Sequence, residues 1–209
     1  GTGEFGDSAT IIAEARAAAQ EDFTLTDYDV VAVFFPDLSG LPNSKITYGG
    51  LATIGGANHW INGVPAQNQV EIILHEFGHN YGLFHTNYFN PTHDFNDPGD
   101  EGYFDPAGVS LEYGDIYDRM GEGDEDDGYF SPYATSRLEW MPSSKVIEPT
   151  SSGTFTIHRF DLPTATTEAT LALRVPMGGE LYNWVGLREL YDATKGQAYI
   201  VNEGIYIDR

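Results

Sequence analysis

From position 75 the chain reads HEFGHNYGLFH, which places three histidines, a glutamate and two glycines within eleven residues. No other stretch restricts the possible fold as much. The segment around its start, Ala66 to Tyr81, contains no proline, and Val70, Ile73, Leu74 and Phe77 recur at the i, i+3, i+4, i+7 spacing of one helix face. The spacing predicts a helix over 66–81. Residues four apart on a helix share a face, so His75 and His79 point the same way, one turn apart. Two imidazoles so placed can bind one zinc ion at about 2.0–2.1 Å. Glu76 follows the first of them and projects beside such an ion without ligating it. There it can take a proton from water and later deliver it to a leaving amine.

A third ligand requires the chain to turn. His85 lies six residues beyond His79, and a straight helix would carry it a further ~9 Å along the axis. Gly82 stands where the helix must stop, and glycine readily takes the left-handed conformation of a helix C-terminus. Gly82 is therefore expected to end the helix and swing His85 round, so that His75, His79 and His85 close on one metal. The competing reading, a helix with surface or otherwise satisfied histidines, accounts for HEFGH but leaves Gly82 and His85 without a task.

Composition narrows the chemistry. None of the 209 residues is cysteine, so disulfides, thiolate ligands and thiol nucleophiles are excluded, and any metal must be held by histidine and carboxylate. Thirty-two acidic residues against ten basic ones give a formal charge of −22. Nucleic acid and anionic membrane surfaces both need a positive protein face, so neither is an expected partner. No apolar run approaches the ~20 residues of a membrane span, so no membrane insertion is expected. With 41% apolar and 13% aromatic residues the chain is globular.

Around the motif, residues 8–20 read as a helix capped by Ser8, and 28–37 as a buried strand ended by Pro36. The glycine-rich 44–63 reads as one or two strands. Residues 86–130 read as a long loop region, and between Asp94 and Asp127 it holds thirteen acidic residues and one arginine. Its clusters DFNDPGDEG and GDEDDG offer Asp94, Asp97, Asp100, Asp124 and Asp126 as calcium ligands, with a solvated acidic loop as the alternative. SPYATSRLEW reads as a short helix with Ser131 as cap and Pro132 at its first position. After Pro142, the runs GTFTIHRF, TLALRVPM, NWVGLREL and GQAYIVNEGIYID look like successive strands. The expected class is α+β. Residues 1–8 would be a flexible start foreign to the domain, 9–142 a domain with a twisted mixed sheet and the motif helix, and 143–209 a β-rich extension. GIYIDR stops inside a strand-like pattern, so a C-terminal portion, and equally a leader or pro-segment, is expected to lie outside this sequence.

EYGDIYDRMGEG sets Met120 in a glycine-flanked turn thirty-five residues after His85. With that turn and the histidine motif the chain resembles the metzincin metallopeptidases, and among them the gametolysin (autolysin-type) family. HEFGHNYGLFH has the Asn after the second His that those proteins carry. EYGDIYDRMG is similar to their EYGD-x-x-D-x-MG segment, and SRLEWM to the helix that follows. LYNWVGLREL loosely resembles a strand shared with the immune inhibitor A-like peptidases. The resemblance runs from about residue 28 to 205 and is strong over 70–86 and 112–121.

The resemblance implies a two-lobed catalytic domain, with His75, His79 and His85 as zinc ligands and Glu76 as general base. Met120 would be the Met-turn residue beneath the ligands. It implies a secreted endopeptidase acting on proteins or glycoproteins. The position two after Met120, a tyrosine in some metzincins, is Glu122 here, so no oxyanion-stabilising side chain is assigned. In that family the strand before the active helix pairs with extended substrate. This makes Ile54, Gly55, Gly56, Ala57, Asn58, His59 and Trp60 the expected substrate edge, with an ordinary core strand as the alternative. A binding module for protein or glycan on the same fold is the other functional reading. The intact Glu76 argues against it, because a scaffold has no chemical need of that carboxylate.

Overall fold

The computed structural model describes residues 6–63, 69–90, 109–115, 117–121, 129–161, 168–179, 181–189 and 203–208. The fold is mixed α+β, with small mixed sheets and few helices. The chain divides into two compact units, Gly1–His85 and Thr86–Arg209. The change of composition near Pro142 falls inside the second of these.

In the first unit, helix α1 spans Gly6–Ala19. Residues 6–8, expected in a flexible start, belong to its first turn, and Ser8 is a buried helical residue rather than the cap. Strand β1 (Val31–Phe35) ends before Pro36, whose missing N–H cannot continue a ladder. It is only half-buried, with Phe34 43% exposed. The glycine-rich segment forms two strands, β2 (Gly50–Ala52) and β3 (Asn58–Asn62). β3 is central in the order β1-β3-β2; it runs parallel to β1 (Val33 opposite Trp60) and antiparallel to β2 (Leu51 opposite Trp60). Phe35, Ile46 and Trp60 form the core, with Ile11 and Ile12 of α1 against them.

This arrangement corrects the expected substrate edge. Ile54 to Ala57 form the turn between β2 and β3, and Asn58, His59 and Trp60 lie in β3, which is paired on both sides. A fully paired strand has no N–H or C=O left for another chain. Among the described residues the free edge beside the motif helix is β2.

Helix α2 spans Val70–Asn80, and residues 64–68 before it lie outside the described set. Its buried side is not the predicted apolar stripe. Val70 is 55% exposed and Leu74 is also exposed, whereas Glu76, Gly78, His79 and Asn80 are buried. β2 selects this face by running across Ile72 and Glu76. A Cβ at Gly49 would come within 2.6 Å of the Ile72 side chain, and one at Gly50 within 2.7 Å of Glu76 Oε1. Two glycines in succession let the backbone come this close.

In the second unit, β4 (Tyr88–Asn90) and β5 (Val109–Leu111) pair antiparallel. Helix α3 covers Pro132–Arg137 and is capped as expected: Ser131 Oγ accepts from the Ala134 N–H at 3.2 Å, with Pro132 first. A four-stranded sheet follows in the order β6 (Val146–Ile147), β7 (Ala172–Gly178), β8 (Leu181–Glu189), β9 (Glu203–Asp208). TLALRVPM and NWVGLREL are thus strands, and GQAYIVNEGIYID contributes its last part. GTFTIHRF is not a strand: it makes one isolated bridge, Arg159 with Leu187, and the His158 N–H donates to the Thr170 carbonyl. Met141, Ala169, Leu171, Ala172 and Trp184 form this unit's core.

Candidate metal centre

The end of α2 brings the three histidines together. Tyr81 terminates the helix, and Gly82 follows with φ +90°. The Gly82 N–H donates to the His79 carbonyl (2.9 Å) and the Leu83 N–H to the Gly78 carbonyl (3.0 Å). This pair of bonds is the Schellman C-cap that a left-handed residue permits. A Cβ at Gly82 would meet nothing within 4 Å, so glycine is required by backbone conformation and not by crowding.

Past this turn His85 comes back to the helix. His75, His79 and His85 each offer a ring nitrogen, and these atoms all lie within 4.8 Å of one another. His79 Nε2 and His85 Nε2 are 3.0 Å apart. Two nitrogens bound tetrahedrally to one metal at 2.0–2.1 Å would stand about 3.3 Å apart, so the residues present fit a metal ion. His79 Nδ1 lies 2.8 Å from the Leu83 carbonyl. A carbonyl only accepts, so Nδ1 carries the proton and Nε2 turns its lone pair inward, as a ligand must. Burial holds the His79 pKa below its usual value, which also favours the neutral, ligating form.

Glu76 lies on the same helix and is buried, with 5% of its surface exposed. Burial pushes its pKa up to about 8, against the opposing pull of a backbone hydrogen bond from Ala52 in β2. Among the described residues its Oε2 has no hydrogen-bond partner. A cation held by the neighbouring imidazoles would favour the charged form and lower that pKa.

Sequence reasoning noted Asn80 only as a point of resemblance, with no role, and did not single out Gly50. Asn80 is buried and ties α2 to the β2–β3 turn. Its Nδ2 donates to the Thr53 carbonyl (3.3 Å) and the Asn58 carbonyl (2.9 Å). Its Oδ1 lies 2.7 Å from His59 Nδ1, which therefore carries the proton. The signals available were the Asn beside the second histidine and the Gly49–Gly50 pair, the mark of a close backbone approach.

Met120 belongs to the second unit and is fully buried there. Its turn is closely held. Asp118 accepts the Met120 N–H on Oδ1 (2.7 Å) and the Ser131 N–H on Oδ2 (2.8 Å). The Met120 carbonyl accepts the Thr86 N–H at 2.9 Å. A Cβ at Gly121 would run into the Asp115 carbonyl, so only glycine can follow Met120. Glu122 and the five candidate calcium ligands, Asp94, Asp97, Asp100, Asp124 and Asp126, lie outside the described residues.

No protein-family model, curated protein or solved structure matches the chain.

Proposed function

We propose that the chain is a secreted zinc endopeptidase of the metzincin type, most like the gametolysin family. The observation that carries this reading is the convergence of His75, His79 and His85, with a buried glutamate between the first two on the same helix. In this reading the three imidazoles hold one zinc ion and Met120 forms the Met-turn. Bound zinc supplies Lewis acidity, which acidifies water and polarises a carbonyl. Glu76 does the proton work. Its partnerless Oε2 takes a proton from the attacking water and passes it to the departing amine nitrogen. The Ala52 N–H steadies the carboxylate meanwhile. β2 is an edge strand of its sheet, and apart from the Ala52 N–H held by Glu76 its outer side would pair with an extended peptide, which would bind mainly through backbone hydrogen bonds.

The test is mass-spectrometric mapping of cuts in an unfolded protein mixture, comparing zinc-loaded protein, chelated protein and Glu76→Gln. Cuts that disappear on chelation and in Glu76→Gln are expected, and they would reveal the side-chain preference. A chain that binds one zinc and makes no cuts would overturn the general endopeptidase reading in favour of a protein- or glycan-binding module.

A further inference from the structure

We propose that Asn80 is a positioning residue. It holds the turn 53–58 against the end of α2 and thereby sets the β2 edge at a defined height over Glu76. The inference rests on the peptidase reading, because it concerns how that edge presents a bound peptide.

β2 is three residues long, and its ladder with β3 ends at Ala52 opposite His59. So short a strand does not fix its own position. The turn that follows it is fastened to residues 79 and 80. The Gly55 N–H donates to the His79 carbonyl at 2.8 Å. That carbonyl also accepts the Gly82 N–H of the helix cap, so both its lone pairs are used. One residue later, Asn80 Nδ2 reaches the carbonyls at both ends of the turn, Thr53 and Asn58. Asn58 is gripped from the other side as well, its Oδ1 accepting from the Arg16 guanidinium on α1.

The task demands this side chain. A planar amide offers two N–H donors and an acceptor on one short stem. Aspartate has the length but no donor, and glutamine would push the amide outward by a methylene. The helix turn that carries a histidine of the metal cluster therefore also carries the clamp for the strand edge. Glu76 lies between the two, with Oε1 against Gly50.

The test uses zinc-loaded protein and Asn80→Asp, which keeps the acceptor facing His59 and replaces the donor facing Thr53 and Asn58 with an oxygen. Turnover is compared on a peptide long enough to pair along β2 and on a short blocked peptide that is not. Asn80→Asp should retain one zinc per chain and lose several-fold less on the short peptide than on the long one. It should lose about tenfold or more in kcat/KM on the long one, mainly through KM. Amide exchange across 53–58 should quicken. Equal losses on both peptides would show a general structural role and overturn the proposal, as would no loss on either. If wild type cleaves neither peptide, the peptidase reading fails, and amide exchange in the variant still decides the clamp. If Asn80→Asp does not fold, the wild-type Gly55 amide decides: protection like that of α2 amides supports the clamp, and exchange at an open-loop rate overturns it.

Discussion

Glu76 and Asp118 are both buried carboxyls, and their partners separate their roles. Asp118 has a backbone N–H on each oxygen, from Met120 and Ser131, whereas Glu76 keeps Oε2 without one. The first is a structural tie and the second is free to handle a proton. Glu76→Gln preserves shape and removes basicity. It should lower kcat by about 10²-fold or more while the zinc content measured by elemental analysis stays at wild-type level. Asp118 carries a pH signature. Burial raises its pKa from 3.8 to about 6, with Asp115 adding to the rise and the hydrogen bonds from the Met120 N–H and from the Ser131 N–H and side chain opposing it. The fold thus favours its protonated form. Its contribution to stability is complete below about pH 4 and is lost as pH rises through about 6, a change of about 3 kcal/mol. Urea midpoints from pH 4 to 7 should show this loss in wild type relative to Asp118→Asn, and parallel curves would refute it.

At the scale of elements, the contact of β2 with α2 and the Gly82 cap position the site. Gly50→Ala would place a methyl 2.7 Å from Glu76 Oε1 and 2.9 Å from Ile72 Cγ2. Overpacking of this kind costs about 1–3 kcal/mol, so the variant should melt lower and, on the proposed peptidase reading, lose turnover even though no ligand is changed. Gly82→Ala meets no atoms but must hold φ +90°, a strain of about 1–2 kcal/mol. It should weaken zinc affinity, measured by competition with a chelator, because the same turn sets His85. The helix end was legible because a left-handed glycine has a recognisable place after a helical run. The buried face of α2 was not. Val70 and Leu74 look like core residues by spacing, yet the face turned inward is the one that Gly49 and Gly50 allow β2 to approach.

At the scale of the whole molecule, each unit has its own core, and metal binding should act on stability through the first. Zinc at a hundred times its Kd should add about 2.7 kcal/mol, seen as a concentration-dependent rise in melting temperature. Glu76→Gln should show the same rise, and His79→Ala should not. A rise that survives His79→Ala would place the metal elsewhere. The formal charge of −22 has its own consequence: self-repulsion opposes compaction, so moderate salt should raise the melting temperature of the metal-free protein.

The sequence by itself determined the local features of the site: the helix carrying His75, Glu76 and His79, its end at Gly82, the return of His85, and the Ser131–Pro132 start of α3. These follow from short-range rules of helix period, capping and backbone conformation, which neighbouring residues enforce on one another. Tertiary structure alone decided which strand edge is open, which face of α2 is buried, and which partners Asn80 and Asp118 find. Those outcomes depend on pairings between distant residues, such as Asn80 with Thr53 and Asp118 with Ser131. For the same reason the resemblance could not place the substrate edge: Ile54 to Ala57 form a turn, and for Asn58 to Trp60 the pattern of a strand is the same whether one side of it is paired or both, so only the position of β1 beside β3 distinguishes them.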